Sequence, residues 1–473
     1  MAKSKKPVQA PTSERKYPSG EEWRAIEGGA AGYDFAAAQD VLNRARKRIS
    51  EIRMRDVELR VVDRRGQPVA DAPVEVCQTE HSFPFGDQLW WLDRMYRFNQ
   101  HETDRAKYMK LRHAEVLNAA NALCYWTERP RNDGPKTEDL QGDNVTDGFA
   151  YCVDWAASQG LIVKGHPLFW SIDKCVPEWV KRYDYRKQMM FAEVRVRNLA
   201  ARFKGRVKIW DAVNEPLWEP AFKNLPHRHW PHIEPIEDMA EYIEQVLRWV
   251  REEDPDACCL INDYGLEQDK QELVAKDGTE VTAALQRRRF LKLVAELRRR
   301  GSPPDALGMQ AHTGGWLDHQ TQWAVYDELS QAGLPLHVTE FWAHTRGLAE
   351  QGRWSEETID RLQAEYVANY LTAAFGHAAL EGFFFWGFGG VEWYEHSGHE
   401  LRPVFHRVRD LLHKEWRTQV QTRTDKSGAV RFRGFFGQYA LRHELSPGVR
   451  HGVPFRVDRQ SAMPLTVAVS TGA

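Results

Sequence analysis

The 473-residue sequence lacks the cysteine pattern of a disulfide framework or of a zinc site. Its cysteines show no Cys-x-x-Cys spacing, and they are few for so long a chain. The six positions are Cys77, Cys124, Cys152, Cys175, Cys258 and Cys259. We therefore expect free thiols in the core.

The chain also lacks a surplus of either charge and any long apolar run. Its formal net charge is −2, so no global field favours nucleic acid or an anionic membrane. No run reaches the ~18 consecutive apolar residues of a membrane span. The basic amino terminus has no apolar segment behind it, so we expect no signal peptide there and interpret residues 1–33 as a disordered tail. We expect a monomer with no nucleic-acid or membrane partner.

Tryptophan is the residue type present in excess, with 18 in the chain. Aromatic faces stack on sugar rings and on other flat apolar surfaces, although most tryptophans of any protein pack in its core. The excess alone is a weak indication of a binding surface.

Strand-like and helical stretches alternate through the middle of the chain, which is typical of parallel βα units. Eight stretches have the composition of buried strands: 83–85, 116–123, 161–166, 207–213, 257–262, 306–310, 336–339 and 382–386. Helical stretches cover residues 148–159, 190–203, 239–253, 282–300, 320–332, 355–380 and 404–414. This order predicts an α/β fold, a (β/α)8 TIM barrel over residues 81–417, with functional groups at the carboxyl ends of the strands. A doubly wound sheet is the alternative, but the glycine-rich phosphate-binding fingerprint that often accompanies it is missing.

β-rich segments flank the predicted barrel on both sides. Residues 34–53 have the pattern of an amphipathic helix, and residues 57–78 that of two strands around a turn, which together form an N-terminal helix and β module over residues 34–80. Residues 418–473 alternate strand-like pieces with glycine turns. We expect this C-terminal segment to pack on the N-terminal module as a small β-sandwich-like unit that braces the barrel.

Two carboxylates follow predicted strands in the same way. Glu215 ends a strand in VKIWDAVNEPLW (207–218), where Pro216 stops the strand, and Glu340 ends one in LPLHVTEFW (334–342). Either glutamate alone would be interpreted as a salt-bridged residue at a strand terminus. The fourth and seventh strands face each other across a barrel mouth, so the repeated pattern predicts a carboxylate pair.

The other predicted strand ends carry uncharged hydrogen-bonding groups and aromatic rings. They are Asn121, His166, Trp170, Asn214, Asn262, Tyr264, Gln310, His312 and Trp386. Such a pocket binds hydroxyl groups and stacks on ring faces, while two carboxylates supply acid/base or nucleophilic chemistry. Hydrolysis of a glycosidic bond fits this inventory. Taken alone, His166 and His312 would be interpreted as core histidines and Trp386 as packing.

Six motifs occur in order along the predicted barrel. They are VKGHPLFW (163–170), WDAVNEP (210–216), LINDYG (260–265), ALGMQAHTGGW (306–316), HVTEF (337–341) and FFWG (384–387). In this order they resemble glycoside hydrolase family 10, the endo-β-1,4-xylanase family. The flanking segments VEVCQTEHSFPFG and RFRGFFGQYAL resemble the β flanks of its plant-type members.

The resemblance implies a retaining hydrolase of β-1,4-linked polysaccharide, xylan or a related hemicellulose, that works by double displacement. It implies that Glu215 is the general acid/base and Glu340 the nucleophile. The residues it assigns to substrate binding are Asn121, His166, Trp170, Asn214, Tyr264, Gln310, His312, Trp386 and Trp393. It further implies a secreted protein that takes polysaccharide or oligosaccharide and uses no metal and no other cofactor.

The sequence departs from the family pattern near the predicted site. Members usually carry a Lys-Trp pair after the strand-2 asparagine, where this chain has Cys124 and Tyr125 before its tryptophan. They also tend to have an aspartate two residues beyond the nucleophile, where this chain has Trp342. Beyond Trp386, Trp393 is roughly in place, but the aspartate usual in that stretch has no match. These departures indicate a shifted substrate specificity.

Two alternatives to this function stay open. The chain could be a retaining glycosidase for a different β-glycoside, or a catalytically silent carbohydrate-binding protein.

His227, His229 and His232 follow Glu215 in the sequence. Their spacing does not make a good helical pair and no carboxylate is clearly associated with them, so we predict loop residues that line the cleft rather than a metal site.

Overall fold

The computed structural model describes most of the chain. The described residues are 35–128, 133–223, 234–269, 274–275, 277–313, 316–345, 354–387, 401–446 and 449–470. The predicted tail over residues 1–33 lies outside this part of the chain. Among the helices so described, none combines the length and the hydrophobicity of a membrane span.

Eight parallel strands close into a barrel, as the alternation of strands and helices predicts. In chain order they are β3 (Phe85–Gln88), β4 (Ala119–Leu123), β5 (Ile162–His166), β6 (Ile209–Asn214), β7 (Cys258–Asp263), β8 (Ala306–Met309), β9 (Leu336–Phe341) and β10 (Leu380–Phe385). The last strand closes the barrel against the first, with Phe383 opposite Phe85. The predicted (β/α)8 fold is confirmed.

Helices follow the barrel strands on the outside. They are α2 (Trp90–Arg97), α3 (Asp104–Val116), α4 (Asp147–Ser158), α5 (Glu178–Lys181), α6 (Tyr185–Arg202), α7 (Ile236–Glu253), α8 (Ala283–Arg299), α9 (His319–Leu329), α10 (Glu356–Gly376) and α11 (Pro403–Asp410). An N-terminal helix, α1 (Phe35–Ile52), packs against α10. Short 3-10 turns lie at Asp173–Cys175 and Ser330–Ala332, and a π-helical turn lies at Leu411–Glu415.

The barrel interior contains an apolar cluster and a polar cluster. The apolar side chains, all buried, are Ala119, Ile209, Leu260, Ala306 and Phe384. The buried polar side chains include Lys164, His166, Asp211, Asn262 and Thr339. The second set includes the strand ends at which the sequence predicts a site.

The flanking segments form two small sheets with a core of their own. One sheet joins β1 (Met54–Val62), β12 (Ala429–Phe435) and β15 (Leu465–Ala468); the other joins β2 (Pro73–His81), β11 (Gln419–Arg423), β13 (Gly437–Ser446) and β14 (Val449–Val457). Strand β1 pairs with β12 and β2 with β13, so N-terminal and C-terminal strands hydrogen-bond directly. Buried valines of both sheets, with Leu59, Leu441 and Tyr439, form the shared core. The two N-terminal strands thus lie in different sheets.

Element boundaries differ from the predicted ones where an apolar run crosses from one element to the next. The predicted strand over 116–123 begins only at Ala119, because α3 continues to Val116 and buries that side chain too. Helix α6 begins earlier than predicted, where the Asp184 carboxylate accepts the backbone N–H of Lys187 at 3.0 Å. All six cysteines are free, and five are buried, as expected.

Candidate active site

Glu215 lies directly after β6 with its side chain held by two donors. Its backbone has a left-handed φ of 55°, and its N–H donates to the carbonyl of Asn262 at 2.7 Å. Trp170 Nε1–H donates to Oε2 at 2.8 Å, and Gln310 Nε2–H donates to Oε1 at 2.9 Å. Burial raises the pKa of this carboxyl and the nearby Glu340 raises it further, which outweighs the two donors. Glu215 is therefore suited to hold a proton.

Glu340, at the end of β9, is as deeply buried but is surrounded by positive and donor groups. Asn262 Nδ2–H donates to its Oε1 at 3.0 Å, and Nε2 of His312 lies 3.0 Å from Oε2. Nε2 of His166 lies 3.8 Å from Oε1. Burial alone would raise the pKa of Glu340, but the charges of His166, His312 and Lys164 outweigh it and lower the pKa. Glu340 is therefore suited to remain ionised.

Asn262, on β7, links the two strand ends. Its Nδ2–H₂ group donates to Oδ1 of Asn214 at 2.8 Å as well as to Glu340. Its Oδ1 accepts the hydroxyl of Thr339 at 2.6 Å. Gly308 on the neighbouring strand leaves the space that the amide occupies, since a Cβ there would lie 2.4 Å from Oδ1. The amide is fixed on every side, so it fixes the position of Glu340 in turn.

A buried ion pair lies behind His166. Nζ of Lys164 is 2.5 Å from Oδ2 of Asp211, and the same oxygen lies 2.6 Å from His166 Nδ1. The side chains of Lys164 and Asp211 are completely buried. Sequence reasoning missed both residues, although Lys164 and His166 are two apart on one strand and therefore face the same side of it. That alternation was the available signal.

Aromatic rings line the same mouth. Tyr125 packs against Trp170 with a centroid distance of 5.4 Å and against His166 at 6.0 Å. Trp386 lies edge-on to His166 at 5.4 Å and to His312 at 6.3 Å. The predicted aromatic and imidazole groups are thus brought together around the two carboxyls.

Two further predicted substrate-binding residues, Tyr264 and Asn121, lie among the described residues. Tyr264 stacks on Trp218 at 5.0 Å, on the Glu215 side of the mouth. Asn121 is fully buried at the register level of Lys164, and neither of its amide atoms has a hydrogen-bond partner among the described residues. Trp393 lies outside the described residues.

Two further carboxyls lie near Glu215, and both have raised pKa values. Asp263 accepts the backbone N–H groups of Leu217 and Tyr264, each at 2.9 Å, yet burial raises its pKa well above the usual range. Burial and neighbouring carboxylates raise the pKa of Glu219 to about 9. Sequence reasoning did not single out Glu219. Among these neighbours, Glu340 is distinguished by its lowered pKa.

The structure offers no support for a metal centre among the described residues, where no group of three or more His, Cys, Asp or Glu side chains could hold an ion. The histidines at 227, 229 and 232 lie outside the described residues. Trp342, in the position where the family usually has aspartate, stacks on His344 at 4.3 Å.

Comparisons with known proteins show the family and the fold. The sequence matches the profile of glycosyl hydrolase family 10 over residues 101–405. Among curated relatives, endo-1,4-beta-xylanase B of Thermotoga neapolitana is 26% identical and the match covers 72% of this chain and 83% of that protein. Endo-1,4-beta-xylanase 2 of Arabidopsis thaliana is 23% identical over 82% of this chain and 32% of the relative. Anti-sigma-I factor RsgI6 of Acetivibrio thermocellus is 26% identical over 85% of this chain and 46% of the relative.

The first curated relatives are longer proteins, of which the chain spans between 32% and 46%.

Solved structures share the fold. Xylanase 10B from Thermotoga petrophila, in complex with xylobiose, has a TM-score of 0.50 and 20% identity over 71% of this chain and 95% of that chain. Xylanase10C from Cellvibrio japonicus, in complex with xylopentaose, has a TM-score of 0.52 and 16% identity over 70% of this chain and 67% of that chain. Because the profile covers more than half of the sequence, the chain belongs to glycosyl hydrolase family 10.

Proposed function

We propose that the chain is a retaining glycoside hydrolase that cleaves β-1,4-linked polysaccharide, xylan first, by double displacement. The observation that carries the proposal is the contrast between two buried carboxyls at one barrel mouth. The pKa of Glu215 is raised and that of Glu340 is lowered. A proton donor beside an ionised nucleophile is what glycoside hydrolysis with retention requires.

In the first step, a Glu340 oxygen attacks the anomeric carbon from the face opposite the leaving group. Glu215 transfers its proton to the glycosidic oxygen as the C–O bond breaks, so the leaving sugar departs as a neutral alcohol. The glycosyl unit is then bound to Glu340 as an ester. Asn262, which donates to Oε1 of Glu340 and to Asn214, holds the attacking group in place.

In the second step, a water molecule attacks the same carbon. Glu215, now ionised, accepts a proton from the water, and the bond to Glu340 breaks. Two inversions restore the β configuration. The hydrogen bonds from Trp170 and Gln310 stabilise Glu215 while it is negative.

Xylan is favoured as the substrate because curated relatives that match large parts of the chain are named endo-1,4-β-xylanases. The rings of Tyr125, Trp170 and Trp386 supply apolar faces for sugar rings beside the carboxyls. Substrate recognition would come from these faces and from uncharged donors, as suits a neutral polysaccharide.

A retaining glycosidase for a different β-glycoside is the second candidate, and the β4 loop favours it. Cys124 takes the place of the family's lysine, and its Sγ lies 3.4 Å from the carbonyl of Pro167. The ring of Tyr125 instead packs on His166 and Trp170. Cys124 cannot supply the cation that the lysine would offer to a sugar hydroxyl, so we expect the glycone subsite to differ.

Turnover of a substrate panel tests the function and separates the two candidates. Purified protein is assayed on xylan, xylo-oligosaccharides, mixed-linkage β-glucan and aryl β-glycosides of xylose, glucose and mannose. Release of xylo-oligosaccharides from xylan is the expected result. Turnover of another β-glycoside but not of xylan would favour the second candidate, and no turnover on any member of the panel would contradict both.

A further inference from the structure

Lys164 and Asp211 form an ion pair in the interior of the barrel, where stability alone does not account for it. Neither side chain is exposed, and Nζ lies 2.5 Å from Oδ2. The centroid of the Phe384 ring lies 5.1 Å from the ammonium. A buried pair of this kind is often no more stable than apolar residues of the same volume, because both ions lose their hydration. The pair therefore calls for a functional explanation.

The pair is connected to Glu340 through one imidazole. Oδ2 of Asp211, which contacts Lys164, also lies 2.6 Å from Nδ1 of His166. Since an ionised carboxylate only accepts hydrogen bonds, Nδ1 carries the proton. The opposite nitrogen, Nε2, then faces Oε1 of Glu340 at 3.8 Å. Lysine, aspartate, histidine and glutamate thus form a row of alternating charge when His166 is protonated.

Charged and titratable groups face Glu340 from four other parts of the barrel. His166 and Lys164 come from β5, His312 follows β8, Glu215 follows β6, and Tyr125 follows β4. His312 is placed against Oε2, whereas His166 faces Oε1. Each carboxylate oxygen of Glu340 therefore has its own imidazole neighbour, and on the Oε1 side the ammonium of Lys164 lies behind that imidazole.

A second histidine in the interior stays neutral. Burial and the charge of Lys164 lower the pKa of His337 to about 4, so His337 adds no charge near neutral pH. Asp211 is the one carboxylate that the described structure places against both Lys164 and His166. The positive charge of Lys164 thus offsets the negative charge of Asp211, which lies on the Nδ1 side of His166, while Nε2 faces Glu340.

We propose that Lys164 is a positioning residue: it offsets the charge of Asp211 and, through that carboxylate, fixes the orientation of His166, and it thereby keeps Glu340 an ionised nucleophile. This inference rests on the proposed function. The lysine touches no reacting atom; it acts through the two side chains in front of it.

The test replaces the pair as a whole, so that no charge is left buried alone. Lys164→Met with Asp211→Asn keeps the volumes and removes both charges, and Lys164→Arg keeps the charge as the conservative control. The measurement is the pH profile of kcat/KM on an aryl β-xyloside, or on the substrate that the panel identifies. In the Lys164→Met, Asp211→Asn variant (the neutral pair), we expect the acid limb of the profile to lie about one pH unit higher than in the wild type. Below that limb, kcat/KM should be about tenfold lower than in the wild type, and the basic limb should not move. Lys164→Arg is expected to restore the wild-type acid limb.

A uniform loss of kcat/KM at every pH would overturn the inference, because a merely structural role lowers activity without moving one limb. So would an acid limb that stays in place. No turnover by the wild type would instead overturn the proposed function and the inference with it, which is a different result. If the neutral pair does not fold, ¹⁵N NMR of His166 in the wild type decides: a proton on Nδ1 at all pH values is expected, and a neutral ring protonated only on Nε2 would contradict the proposal.

Discussion

Glu215 and Glu340 are both more than nine-tenths buried, at 8% and 4% exposure. Burial raises the pKa of any carboxyl, so burial alone would give the two residues the same behaviour. Their partners separate them. Glu215 accepts hydrogen bonds from two neutral donors, and the charge of Lys174 does not outweigh the effect of burial. Glu340 lies between two imidazoles with Lys164 behind one of them. At the residue scale, the proposed acid and the proposed nucleophile are distinguished by charge in their surroundings.

Trp170→Phe is expected to move the basic limb of the pH profile upward. The indole N–H stabilises the ionised form of Glu215, so its loss raises the pKa of that carboxyl. Because Glu215 must be protonated for the first step, kcat/KM then falls at higher pH. A shift of about 0.5 to 1 pH unit is expected from the net free energy of one hydrogen bond. A downward shift in kcat/KM profiles on an aryl β-xyloside would contradict this.

Glu215→Gln is expected to lower kcat/KM on xylan by about 10²- to 10⁴-fold, because no proton reaches the leaving oxygen. With nitrophenyl β-xyloside, whose leaving group needs no proton, the rate of the glycosylation step should fall much less. Glu219→Gln is the matched control. Its carboxyl has a pKa of about 9 and is already protonated at neutral pH, so an amide of the same shape should preserve activity. Equal losses on both substrates would argue against the role of Glu215.

Site residues could be predicted where they stand at or just after the end of a strand, but not where they lie inside a strand, even within a quoted motif. The glutamates, His166, Trp170, Gln310 and His312 follow strands, and the structure brings them together. Lys164 and Asp211 lie inside strands, where side chains are ordinarily apolar. Their role depends on contacts between neighbouring strands, which no single stretch of sequence contains.

At the scale of secondary-structure elements, the order of strands was predictable and their ends were not. All eight barrel strands were predicted in the right order, although the predicted stretch 83–85 overlaps the observed β3 (Phe85–Gln88) only at Phe85. The apolar run that starts at Val116 contains both the end of a helix and the start of a strand. The boundary could not be predicted, since α3 and β4 both bury apolar side chains there. Pairing in the flanking sheets was harder to predict, because β1 and β2 find their partners more than 300 residues later.

Gly308→Ala is expected to lower kcat/KM by at least about tenfold while the barrel still folds. The added Cβ would lie 2.4 Å from Oδ1 of Asn262, so the amide must shift away from Glu340, and small displacements at reacting groups are costly. Gly452→Ala is the control, because its nearest neighbour would lie 4.0 Å away in a flanking sheet. Circular dichroism and kinetics on both variants check the prediction; an unchanged kcat/KM for Gly308→Ala would refute the role given to Asn262.

At the scale of the whole molecule, the flanking sheets and the barrel are joined by buried polar contacts. Arg53, between α1 and β1, is 4% exposed and donates to the carbonyls of Phe375, His377 and Leu380. These carbonyls lie where α10 ends and β10 begins. The contact is at the amino-terminal end of the barrel strands, opposite the carboxyls.

Arg53→Met is expected to lower the free energy of unfolding by about 3 kcal/mol, because buried carbonyls lose their donor. Arg60→Met, which removes an exposed arginine 3.9 Å from Glu58, should change it by less than about 1 kcal/mol. Denaturant unfolding measures both, and kcat/KM at a temperature where both variants are folded should equal that of the wild type. A loss of activity in folded Arg53→Met would show that the flanks act on the site and do more than brace the barrel.

The anomeric configuration of the first product is the most direct test of the central claim. Proton NMR follows the early products of xylan or of an aryl β-xyloside, with wild-type protein and with Glu340→Ala. The account predicts that the β anomer forms first and that Glu340→Ala forms no product. Initial formation of the α anomer, or turnover by Glu340→Ala at the wild-type rate, would contradict double displacement through Glu340.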